Sequence, residues 1–223
     1  MLLLVAAIWG WTFVVVKEGL QELQTFTFLF YRFSLAFLLL LAIFWPRLRN
    51  APRRLWIKGG VIGIVLFAGY WFQTYGLLFT TATKSAFITG LSVVLVPILG
   101  ALFFKDVIAK WGWIGAVVSV SGLGLIIFGR FDGVISANLG DGLAFFCAIA
   151  FALQLQLVSH FSKAENYVPI LVAQIGAVTL LSGIGMLVVE GPQVPVTWSA
   201  WEALLITGIL ATALAFWTIF VVG

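Results

Sequence analysis

The chain has 223 residues, 63% of them hydrophobic and only 9% charged, against about 25% charged in an average soluble protein. That balance excludes a water-soluble globular core. The net charge of +4 would point to nucleic acid in a soluble chain, but in an apolar one the placement of Lys and Arg carries the information. No nucleic-acid partner is expected.

In chain order, charge-free runs cover 1–16, 59–83, 85–104, 111–129, 142–162, 166–189 and 203–223, and the run 23–46 is broken only by Arg32. Eight transmembrane helices are predicted. About 20 apolar residues cross about 30 Å of hydrocarbon, and lipid forces every backbone N–H and C=O to pair within the segment. The runs are apolar at every phase, which rules out the alternating segments of roughly 10 residues found in a membrane barrel. The fold class is therefore all-α, a polytopic helical membrane protein. The first run has signal-peptide-like apolarity but no basic start, and it continues into Lys17 without a small-residue cleavage site, so it is read as a span. Cys147 falls within the sixth run, so a disulfide and a cysteine metal site are excluded. It packs in the interior or faces lipid.

The basic residues are lopsided. Arg47, Arg49, Arg53, Arg54 and Lys58 stand between spans two and three, Lys105 and Lys110 between four and five, and Lys163 between six and seven. Lys17, Lys84 and Arg130 mark the other side, with Arg32 near that face. The heavier side is expected to be cytoplasmic. This places the N-terminus inside the cell, in a multi-pass plasma-membrane protein, with the hinges 79–84 and 130–141 outside. Most of these cations serve as topological anchors and lipid-headgroup contacts.

Sliding the sequence over itself gives an ordered match. At a shift of 145, Trp56, Gly63, Trp71 and Phe72 meet Trp201, Gly208, Phe216 and Trp217; at 142, Thr12, Leu29 and Arg32 meet Gln154, Leu171 and Gln174. If spans one to five form one unit, the second begins on the opposite side of the membrane, because five is odd. An inverted repeat is the expectation, with a first unit at 1–130 and a second at 140–223 that holds three of five helices. The last run ends without Lys, Arg or a polar cap, and the natural protein is expected to be longer by two helices.

Several segments resemble the EamA-type branch of the drug/metabolite transporter superfamily. They are Trp9-Gly10-Trp11-Thr12 onward to Lys17, Tyr31-Arg32-Phe33 in span two, and Thr83-Lys84-Ser85-Ala86-Phe87-Ile88-Thr89-Gly90-Leu91 running on to Pro97-Ile98-Leu99-Gly100-Ala101. Trp113-Ile114-Gly115-Ala116 onward to Leu123 also fits. Asp106 takes the acidic position after span four but follows Lys105, where the family more often has Gly-Glu. The resemblance implies ten helices in two inverted five-helix units. It also implies a central cavity lined by spans one, three, four, six, eight and nine, and alternating-access movement of small metabolites. Span nine would lie beyond this sequence.

Candidate cavity residues follow from polar side chains placed at apolar depth. In span four Ser85, Thr89 and Ser92 share one helix face, either as substrate contacts or as interhelical hydrogen bonds. Pro97 removes a backbone bond, and a kink is expected there. In span three Tyr70, Gln73 and Thr74 cluster on one face, suiting an amphipathic ligand or an interfacial anchor. Gln154, the repeat partner of Thr12, must find a partner or line water at mid-membrane. Trp9 and Phe216 join the same expected cavity. Gln156 and Gln174 are read as pairing between helices. Arg32, about two turns from the helix end, either snorkels to headgroups or makes a salt link or anion contact. His160 is read as solvated. Gly59-x-x-x-Gly63 and Ala211-x-x-x-Ala215 are read as close-packing stripes.

The function expected is a secondary carrier for small organic solutes, an exporter of amino acids or related metabolites. No cofactor is expected, and no Gly-rich phosphate loop is present to couple ATP. An intramembrane enzyme would need paired aspartates, a Ser–His pair or zinc-spaced ligands, and the sequence holds none. A truncated, non-transporting membrane protein is the other reading.

Overall fold

The computed structural model describes residues 2–106, 110–128, 138–162 and 167–214. Among them the chain is helical, with no strand. In order come α1 (Leu2–Gly19), α2 (Thr25–Leu48), α3 (Arg53–Gly76), α4 (Ala82–Gly90), α5 (Ser92–Leu99), α6 (Lys110–Phe128), α7 (Leu139–Ser162), α8 (Tyr167–Gly185) and α9 (Trp198–Leu205). Wider, π-type turns extend α5 over Gly100–Phe104, α8 over Met186–Glu190 and α9 over Ile206–Leu214. Among the described residues five stretches are long and apolar enough to cross a membrane: Thr25–Leu48, Arg53–Gly76, Ala82–Phe104, Leu139–Phe161 and Tyr167–Glu190. α1, α6 and α9 occupy the three remaining apolar runs.

The third span is displaced from its charge-free run. The helix opens at Arg53, straight after Pro52, which caps it in an extended conformation at φ −65° and ψ 142°, and it stops at Gly76. Arg53, Arg54 and Lys58 therefore belong to the helix, because long basic stems let their heads reach the interface from within it. The fourth span is broken at Leu91, which turns between α4 and α5. Pro97 lies buried inside α5, so the irregularities flank it, at Leu91 and at the π turns from Gly100, rather than centring on it. Lys105 closes those turns in the left-handed region, at φ 56°. Glycine takes that conformation without a Cβ clash, so Lys105 is held there at a steric cost.

Helix ends leave amides and carbonyls without intrahelical partners, and near lipid such groups are costly. Acidic side chains meet that need here. The Glu190 carboxylate accepts hydrogen bonds from the backbone N–H of Phe26 at 2.7 Å and of Thr27 at 2.8 Å, placing negative charge at the positive end of α2. Glu22 accepts from the Thr197 hydroxyl and from the N–H groups of Val196 and Thr197. The Thr197 hydroxyl, followed by the Val196 amide, holds the Glu22 carboxyl below its usual range. Asp141, in the first turn of α7, accepts from the Thr80 hydroxyl at 2.6 Å and pairs with Lys84 at 3.4 Å. Lys17 donates to the Thr80 carbonyl. One face of the bundle is thereby tied across α1, α2, α4, α7, α8 and α9. On the other, His160 stands 3.5 Å from Asp106 and stacks on Phe104 at 4.4 Å, so it is engaged by protein rather than simply solvated.

α3 is the hub of the packing, lying along α7 and α8, while α8 also lies along α2. The approach of α3 to α8 is backbone to backbone. A Cβ on Gly59 would lie 2.6 Å from the Ile170 carbonyl oxygen, and one on Gly63 2.7 Å from that of Gln174. A Cβ on Gly208 would lie 2.9 Å from the Arg32 carbonyl oxygen. Around this crossing Leu29, Phe33, Ala36, Leu66, Leu171 and Ile175 form the main apolar cluster. Leu38, Ile43, Val61, Ile64, Val117, Val118 and Leu180 are exposed, as lipid-facing positions should be. Within lipid the hydrophobic effect does not drive helices together, so close van der Waals packing carries the association. Gly63→Ala should therefore destabilise the fold by about 1–3 kcal/mol, whereas Gly60→Ala, where nothing lies within 4 Å, should not; denaturant unfolding in detergent reads the difference.

Candidate functional site

Arg32 is the eighth residue of α2, about 10 Å along the helix at 1.5 Å per residue. It does not snorkel. The side chain turns into the bundle and is 3% exposed, because α2 presents Arg32 and Phe33 to α3 and to the turns that continue α9. The guanidinium carbon lies 5.1 Å from the Phe33 ring centre and 4.9 Å from that of Tyr70. Nε donates to the Thr212 hydroxyl at 3.2 Å, and that hydroxyl donates in turn to the Thr207 carbonyl at 2.8 Å. The five-residue offset of this last bond is the π-turn period, so the wider turns present Thr212 to the arginine. Desolvated cation–π contacts are worth about 2 kcal/mol each, and burying an ion costs several kcal/mol even after relaxation. The aromatic contacts thus offset only part of the cost. No described carboxylate pairs with Arg32.

Tyr70 is also buried, edge-on to Phe33 at 4.7 Å and to Phe151 at 5.0 Å. Thr74, one turn further along the same face of α3, is buried, and its hydroxyl meets no partner among the described residues. Gln73 is half-buried on α3. On α4, Ser85 is buried with its hydroxyl likewise unpartnered. Thr89 faces Cys147 Sγ at 3.8 Å, and Ser92, at the start of α5, is half-buried. Cys147 is therefore an interior packing residue. On α1, Trp9 Nε1 donates to the Ala211 carbonyl at 2.8 Å and the buried Thr12 donates to the Trp9 carbonyl at 2.6 Å. Phe216 and Ala215 lie outside the described residues.

Gln154 is buried and donates through Nε2 to Gln174 Oε1 at 3.0 Å, joining α7 to α8. Gln156 donates to the Val96 carbonyl at 2.8 Å, joining α7 to α5. The expected polar residues thus fall into separate groups: Arg32 with Tyr70 and Thr212, Gln154 with Gln174, and Thr89 with Cys147. No described hydrogen bond links one group to another. Thr207 and Thr212 were not singled out by sequence reasoning; their spacing of five reads as two faces of an α-helix and as one face only when the turn widens. Among the described residues no group of three or more His, Cys, Asp or Glu side chains could hold a metal ion.

Arg32 is thus a buried cation beside two rings and the Thr212 hydroxyl, with no described acid to match it. The EamA-like transporter family model matches residues 1–128. The chain belongs to the EamA-like transporter family. It is a membrane protein of the drug/metabolite transporter superfamily. An uncharacterized transporter of Archaeoglobus fulgidus is 39% identical over 81% of this chain and 55% of its own length. A second from that organism is 38% identical over 45% of this chain and 36% of its own. The uncharacterized transporter YoaV of Bacillus subtilis is 26% identical over 95% of this chain and 74% of its own. The chain thus spans about half the length of the first of these relatives. A crystal structure at 20% identity shares the fold, with a TM-score of 0.68 over 96% of this chain and 77% of its own.

Within this EamA-like bundle the Gln154–Gln174 bond makes a quantitative prediction. Interhelical hydrogen bonds in membranes average about 0.6 kcal/mol and reach about 1.7. A double-mutant cycle with Gln154→Ala and Gln174→Ala should return a coupling in that range, read by unfolding in detergent.

Proposed function

We propose that the whole protein is a secondary carrier that moves small organic metabolites, amino acids among them, out of the cell by alternating access. Membership of the EamA-like transporter family is the observation that carries this reading. The buried Arg32, Tyr70, Thr74 and Ser85 support it, because polar groups at membrane depth either pair or line a path for solute. Trp9, Thr12, Gln73, Thr89, Ser92, Gln154 and Phe216 complete the cavity we propose. The architecture is two inverted five-helix units, the first at 1–130 and the second beginning at 140, of which three helices lie within this chain.

A pair of exchanged contacts supports the inverted repeat. In the self-match Gly63 corresponds to Gly208 and Gln174 to Arg32. In space Gly63 abuts the Gln174 carbonyl and Gly208 the Arg32 carbonyl, which is the relation a pseudo-twofold axis in the membrane plane generates. The basic side of the bundle is taken as cytoplasmic, with the N-terminus on that side and the bundle in the plasma membrane.

Reconstituted into liposomes, the protein should give saturable flux of at least one labelled amino acid or related metabolite, and Tyr70→Ala should cut that flux roughly tenfold at unchanged expression. Absence of flux across a broad panel of organic solutes would contradict the carrier.

A further inference from the structure

We propose that Arg32 is the anchor for a carboxylate group on the solute, an inference that rests on the carrier reading and names the chemistry its site selects. A guanidinium stays charged and carries five N–H donors. Here only Nε is engaged, by Thr212, and the four donors on Nη1 and Nη2 meet no acceptor among the described residues. The described acids are committed elsewhere. Glu22, Glu190, Asp106 and Asp141 hold helix ends or the basic groups beside them, and Glu18 and Glu202 are exposed. A side chain 97% buried with its fork unmatched is an expensive arrangement, and an anion arriving from outside would complete it.

The geometry selects which anion. The free edge of a guanidinium pairs two N–H groups with two oxygens of a planar carboxylate. One cation neutralises one charge, so a carboxylate leaves no net charge in the bundle, whereas a phosphate dianion would leave one uncompensated at low dielectric. The Phe33 and Tyr70 rings, 4.7 Å apart, lie together on one side of the guanidinium. Phe151, edge-on to Tyr70, adds apolar surface for the organic body of the same solute.

The test uses the purified chain in detergent and two probes of matched shape, 3-phenylpropanoate and 3-phenylpropanamide, titrated by calorimetry. The acid should bind at least about tenfold more tightly than the amide, a difference of 1.4 kcal/mol. Arg32→Gln should erase that preference, and Arg32→Lys, which keeps the charge but not the fork, should lose most of it. Should a variant fail to fold, the acid-to-amide ratio of the unaltered protein still decides the matter. Equal affinity for the two probes overturns the anchor and leaves a solute site standing. Binding of neither probe, with flux of other solutes intact, also overturns it; loss of all flux would remove the carrier reading as well.

Discussion

The backbone of α3 meets the backbone of α8 at Gly59 and Gly63, where a single added carbon would press on carbonyl oxygens of the facing helix, and the interior is arranged around that approach. With only the Ala173 and Ala177 methyl groups of α8 set against the glycines the two helices approach closely, and the next turns of α3 bring Tyr70 against Phe33 of α2 and Phe151 of α7. Arg32 thereby packs against a pair of neighbouring rings inside the bundle instead of reaching a headgroup. Chains packed in lipid depend on such small-residue contacts because apolar surface alone gives no preference for protein over lipid tails.

Charge is kept to the helix ends, and Arg32 is the buried charged side chain among the described residues. Acids sit where helix ends expose amides: Glu190 at the start of α2, Glu22 at the segment leading into α9, Asp141 at the start of α7. Each fixes a terminus and also ties two elements distant in sequence, so the same residues satisfy the backbone and set the tertiary arrangement. Inside, polarity is met by pairs, Gln154 with Gln174 and Gln156 with the Val96 carbonyl. Among the described residues Thr74 and Ser85 keep unpartnered hydroxyls and Arg32 has a single hydrogen bond, to Thr212, and polar groups of this kind at membrane depth are where function is to be sought.

Much of this was legible in the sequence. Excluding charge from hydrocarbon is a large effect, so the apolar runs mark the helices. The Gly59 and Gly63 stripe, the polar face of Tyr70 and Thr74, and the interior place of Gln154 follow from periodicity. The boundaries of α3 were less legible, since Arg53, Arg54 and Lys58 extend a helix beyond its charge-free run. The fate of Arg32 was not legible at all. Two turns from a helix end, an arginine can reach outward or inward, and only the neighbours supplied by α3 and α9 decide. Thr212 was hidden for a related reason: it reaches Arg32 through π turns, and a period of 3.6 does not anticipate them. The wider turn at Gly100 and the break at Leu91 stand on either side of Pro97, and a proline at 97 does not by itself mark either position.

Water-soluble thiol reagents test directly whether the proposed solute path runs past Arg32 along the face of α3 that carries Tyr70 and Thr74. In a background with Cys147→Ala, Thr74→Cys should react with a charged methanethiosulfonate in membranes, while Ile62→Cys, which packs with Leu55 and Ile170, should stay inert. Reaction at 74 with none at 62 is the expected outcome; equal inertness at both positions would mean that this face is sealed protein interior and that the path lies elsewhere.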